Sequence, residues 1–102
     1  MPAAYYVYAI ELDPAAARRT QDRALVAKGA RCYYVGQTAH SDVRRLQDHL
    51  AGGWASATVV REHARQLVGH VGPFATRDEA EQQERAWAKK IRRLGHVTFG
   101  GR

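Results

Sequence analysis

The chain has 102 residues, of which 45% are hydrophobic and 25% charged, and a formal net charge of +6. That length suits one domain, the composition excludes disorder, and no apolar run is long enough to span a bilayer. Sixteen Lys and Arg against ten Asp and Glu point to an anionic partner, nucleic acid first, or to nothing more than a solvated basic surface. The start, Met1-Pro2-Ala3-Ala4-Tyr5, has neither a basic region nor a long apolar one, so no secretory signal and a cytoplasmic location are expected. Cys32, the single cysteine, has no partner for an intramolecular disulfide and reads as a half-buried strand thiol without a role.

Tyr5-Tyr6-Val7-Tyr8-Ala9-Ile10 is rich in β-formers and reads as a first strand. Asp13-Pro14 then opens a predicted helix, with Asp as N-cap and Pro at the first position, and Gly29 lies past its end. Arg31-Cys32-Tyr33-Tyr34-Val35 is the second strand, stopped by Gly36. Ser41 or Asp42 caps a helix to about Leu50, because Val43, Leu46 and Leu50 fall on one face and Gly52-Gly53 follows. Thr58 to Arg65 reads as a short helix against the resistance of its β-branched residues. Gln66 to Val71 reads as a third short strand.

The last helix has the strongest signature. Thr76 and Glu79 have capping-box spacing, and Ala80, Trp87, Ala88, Ile91 and Leu94 follow helical periodicity up to Gly95. Val97-Thr98-Phe99 has room for a terminal strand. The order gives an α+β domain, a small sheet covered by helices, with no internal repeat or linker.

Glu84 lies four residues after Ala80 and three before Trp87, on the apolar stripe of that helix. A carboxylate there needs a cation, a metal or hydrogen bonds; the alternative is a Glu at the stripe's edge reaching water or an Arg. Arg45 and His49 stand four apart on one helical face. They are either a solvated pair or a phosphate ligand beside a group that can take a proton near pH 7. Tyr8 and Tyr34 lie in neighbouring strands, with Gly36 just beyond, and either pack or place two phenols at one end of the sheet. Lys89, Lys90, Arg92 and Arg93 crowd the end of the last helix, with Arg85 a turn earlier. Together with Arg44, Arg61 and Arg65 they are candidates for a phosphate-contacting rim. His40 precedes the Arg45 helix, and His63, His70 and His96 show no zinc spacing with Cys32.

These pieces, in this order, resemble the GIY-YIG nuclease superfamily. Tyr6-Val7-Tyr8 stands at the first tripeptide, and Tyr34-Val35-Gly36, followed by Gln37-Thr38, at the second. Arg44-Arg45-Leu46-Gln47-Asp48-His49-Leu50-Ala51-Gly52 resembles the Arg–His–Gly helix, and Ala80-Glu81-Gln82-Gln83-Glu84 the metal-binding helix. The resemblance covers nearly the whole chain, 1–102, as a single domain.

It implies a small three-stranded antiparallel sheet flanked by helices, and divalent-metal-dependent hydrolysis of DNA phosphodiesters. Carried over by position, Glu84 would bind one Mg²⁺ or Mn²⁺ and Arg45 would hold the scissile phosphate. Tyr8 would be the candidate base, with Tyr34 and His49 assisting. Gly36, Thr38, His40, Arg44, Lys89 and Lys90 are the candidate substrate contacts. The substrate would be branched, nicked or duplex DNA, cut with structure specificity or weak sequence specificity, as in DNA repair or recombination. No membrane is involved, and a homodimer or a protein partner would add surface to so small a domain. Three departures stand out: Tyr-Val replaces Gly-Ile in the first tripeptide, an insertion at about 13–30 separates the two tyrosine strands, and the chain has no asparagine, which some members place after the metal helix. The insertion either shapes substrate choice beside the active site or embellishes the fold. Two other readings stay open: a module that binds nucleic acid without cutting it, and a subunit that binds a protein partner.

Overall fold

The computed structural model describes residues 4–38 and 58–100. The first element is strand β1 (Tyr5–Leu12), which apart from Glu11 is built of aromatic and aliphatic residues on both faces, because both faces are covered. Val7 and Ala9 point to one side, and Tyr8, Ile10 and Leu12 to the other. Strand β2 (Cys32–Thr38) pairs antiparallel with β1, with Tyr8 opposite Gly36, Ile10 opposite Tyr34 and Leu12 opposite Cys32.

After a short helix α2 (Thr58–His63), strand β3 (Ala64–Phe74) pairs antiparallel with the other edge of β1. The register shifts three times along that pair, between Tyr5 and Val7, Ala9 and Ile10, and Glu11 and Leu12. Helix α3 (Arg77–Arg93) crosses the sheet, and strand β4 (Val97–Gly100) closes it. The strand order is β3-β1-β2-β4.

The fourth strand corrects the expectation of a three-stranded antiparallel sheet. Val97–Gly100 runs parallel to β2, with Cys32 opposite Val97 and Val35 opposite Gly100. The described residues therefore form a four-stranded mixed sheet. The physical reason is the outer edge of β2, whose N–H and C=O groups need partners once β1 has taken the inner edge. α3 ends on Gly95 at φ +89°, and the Val97 N–H donates to the Arg31 carbonyl at 2.9 Å, which sets the parallel register.

The insertion is a second correction. The single helix expected from Asp13 to Gly29 is two pieces. Asp13 accepts the Ala15 N–H at 2.8 Å and caps one turn of 3-10 helix, Pro14–Ala16. Ala17 is extended, and helix α1 (Thr20–Ala27) starts again from Arg19 without a side-chain cap. The break lets Ala16 and Ala17 dock in the core at 4% and 7% exposure. α1 itself buries no residue completely, as its weak apolar periodicity implies.

Strand limits also differ from expectation. β2 does not stop at Gly36 but passes through it to Thr38, and β3 is longer than Gln66–Val71. Cys32 is fully rather than half buried, and burial, then Asp22 and Asp13, push its thiol pKa up. The helix expected over 41–50 and its closing Gly52-Gly53 lie outside the described residues.

Two clusters fill the two sides of the sheet. Ile10, Leu12, Ala16, Ala17, Cys32, Val60 and Val97 form one, with Tyr8 and Tyr34 packed against it. Val7, Ala9, Val35, Ala80, Ala88 and Ile91 form the other, beneath α3, with Trp87 at its margin. The insertion and α2 thus share the tyrosine face, and α3 covers the opposite one.

Candidate active site

Two residues apart in pairing register, Tyr8 and Tyr34 project from the two interior strands to the same face. Their ring centroids are 6.3 Å apart, with the planes tilted by 34°. Both rings crowd over Gly36. A Cβ at that position would come within 2.7 Å of the Tyr8 Oη and 2.8 Å of the Tyr34 Cε1. Glycine is therefore what lets the two phenols lie over the strand.

Burial raises the Tyr8 pKa above the ordinary phenol value, and Tyr34 and the charge of Glu84 raise it further. Tyr34 is raised by burial first and by Glu84 second. The carboxylate therefore acts electrostatically on both phenols, and both keep their protons at neutral pH.

Glu84 belongs to α3, whose start is fixed where the sequence indicated. The Thr76 hydroxyl accepts the Glu79 N–H at 3.2 Å, and Asp78 and Glu79 complement the dipole of the first turn. One turn to either side of Glu84, Ala80 and Ala88 are completely buried in the second cluster. Glu84 is half-buried between them, so it does stand on the inward stripe. Its helix covers the face opposite the phenols, and its charge reaches them from there.

Thr38 ends β2 opposite Tyr6. The neighbouring Gln37 buries its Oε1 with no hydrogen-bond partner among the described residues. Lys89 and Lys90 are exposed on α3, and Arg92 donates to the Thr98 Oγ1 at 3.0 Å. His40, Arg44, Arg45 and His49 lie outside the described residues.

No group of three or more His, Cys, Asp or Glu side chains is placed to hold a metal among the described residues. The half-buried Glu84 carboxylate is nonetheless an oxygen donor of the kind a hard divalent cation accepts while keeping most of its waters. A cation at Glu84 would also oppose the negative charge that raises both phenols.

Two features escaped the sequence. The orphaned Gln37 oxygen carries no composition signal. The side of the sheet taken by the insertion was readable in principle, because period-two alternation puts Tyr8, Ile10 and Leu12 on one face and Asp13 follows directly.

No curated protein and no solved structure matches the chain. The model of the GIY-YIG catalytic domain does match it, over residues 4–96. With the match spanning nearly the whole chain and the two tyrosine strands at the centre of the sheet, the chain belongs to the GIY-YIG family, a nuclease superfamily.

Proposed function

We propose that the protein is a divalent-metal-dependent DNA endonuclease that hydrolyses phosphodiester bonds. Its specificity would be for structure, or only weakly for sequence, since no element among the described residues resembles a base-reading helix. One observation carries the reading: Tyr8 and Tyr34 converge over Gly36 within the field of Glu84.

In this reading Glu84 holds a single Mg²⁺ or Mn²⁺. Such an ion polarises the phosphate and stabilises the leaving oxygen when bound. Arg45 binds the scissile phosphate in bidentate fashion, and His49 holds or orients a proton beside it. Tyr8 and Tyr34 retain their Oη protons in the metal-free protein, so they first donate hydrogen bonds to phosphate or water oxygens. Tyr8 serves as a base only where nearby positive charge lowers its pKa. Gly36, Thr38, His40, Arg44, Lys89 and Lys90 complete the proposed substrate contacts.

The test is cleavage of branched, nicked and plain duplex DNA with Mg²⁺ or Mn²⁺, comparing the protein with Glu84→Ala. We expect the variant to lose at least a hundredfold in rate, since metal-derived charge stabilisation contributes several kcal/mol. Equal cutting by both proteins, or no cutting of any substrate, overturns the reading.

The raised phenol pKa values favour one other reading, a module that binds nucleic acid without cutting it. That reading requires salt-sensitive binding that neither EDTA nor Glu84→Ala alters, with no product under any condition.

A further inference from the structure

We propose that the insertion between the two tyrosine strands is a second phosphate-binding surface, which grips the duplex backbone beside the cleavage site. The inference rests on a nucleic-acid substrate, as in the reading above, but not on cleavage.

The insertion, residues 13–30, carries Arg18, Arg19, Arg23 and Lys28 against Asp13 and Asp22, a net +2 out of the chain's +6. All four cations are exposed. Among the described residues these cations make one ion pair, Arg18 to Glu62, which is long at 3.7 Å, and the Arg18 side chain is 79% exposed. An exposed pair of that kind contributes little and leaves its arginine available to another anion.

The segment enters the core through Ala16 and Ala17, with Val26 packed against the same cluster. α1 buries no residue, so its charges are not incidental to packing. Arg18 and Arg23 border an open basin of about 600 Å³ whose floor is Pro14, Ala15, Ala17, Val26 and Ala27. Two guanidinium groups at the rim of a shallow apolar basin suit a sugar–phosphate chain, which is anionic outside and apolar along its sugar faces.

Placement supplies the rest. Ala16 and Ala17 dock in the same cluster against which Tyr8 and Tyr34 pack. The cations therefore rise on the phenol face, whereas the Lys and Arg at the end of α3 belong to the helix on the other side. From Tyr8 to Leu12 is four strand residues, about 13 Å at ~3.3 Å each. Along a duplex with one charge per ~1.7 Å, that distance spans several phosphates on either strand. The insertion is thus placed to hold DNA flanking the site rather than the scissile group itself.

The experiment is binding of a 20-base-pair duplex in EDTA over a salt series, comparing the intact chain with a triple variant, Arg18→Gln, Arg23→Gln and Lys28→Gln. Three lost phosphate contacts should lower the log–log salt slope by about 2–3 and weaken binding at low salt. The matching Arg→Lys variants at 18 and 23 should keep the slope, which separates charge from shape. Unfolding temperatures should agree across the set, because the altered side chains are exposed. An unchanged slope and affinity in the triple variant overturn the proposal, as does absence of duplex binding by the intact chain. Salt-sensitive binding without cleavage would sink the nuclease reading and leave this one standing. Cleavage with an unchanged triple variant would do the reverse.

Discussion

At the scale of single residues, Gly36 and Glu84 shape the site more than the tyrosines do themselves. Gly36 makes room for two rings, and Glu84 adds to the burial that keeps their protons on. The linkage has a definite sign. A phenol whose folded pKa lies above its unfolded value, near 10, contributes stability that is intact below pH 10 and is lost as pH rises toward the folded value. Thermal unfolding measured from pH 8 to 11.5 should therefore show a decline above about pH 10, and Tyr8→Phe should flatten part of it. Parallel curves for the two proteins would contradict the assigned burial of Tyr8. Glu84 was legible in the sequence because its neighbours at four residues either side, Ala80 and Ala88, fall on one helical stripe. The charge–phenol coupling was not, since nothing local says which side chains from distant segments will share a field.

At the scale of elements, legibility followed the strength of local signals. Helix α3 could be read because capping chemistry and periodicity agree over Arg77–Arg93. Its Thr76 cap is worth about 1 kcal/mol, so Thr76→Ala should lower the melting temperature by roughly 4–8 °C without moving the phenols. Circular dichroism would check both, in the far ultraviolet for the melt and the near ultraviolet for the rings. The insertion was harder to read. Asp13 and Pro14 gave the correct start, but the choice between one helix and a turn plus a helix was decided by docking Ala16 and Ala17 into the core. That is a tertiary preference, and alanines in a weakly periodic stretch do not announce it. β4 failed to be counted in the sheet for a similar reason. Its parallel pairing depends on where α3 delivers the chain, about two hundred ångströms of backbone contour beyond β2 if that stretch were drawn out.

At the scale of the whole molecule, the two faces of the sheet divide the labour. One carries the phenols, the insertion and α2, and the other carries α3 with its carboxylate and basic end. The +6 that first suggested an anionic partner is thus not one patch, and a third of it sits on the insertion. The strand order has a separate consequence for how the site endures thermal opening. Both tyrosines occupy the interior strands, hydrogen-bonded along two sides, while β3 and β4 form the edges. An edge strand can detach without releasing its inner neighbour, so local opening should pass through β3 or β4 first. Amide hydrogen exchange should accordingly be slowest at Tyr8 to Ile10 and at Tyr34 to Val35, and measurably faster at the irregular β3 positions around Val68 and Val71. The chemistry would then rest on the part of the fold that opens last, and substrate could be admitted or released by movements of the periphery while the phenol pair stays assembled.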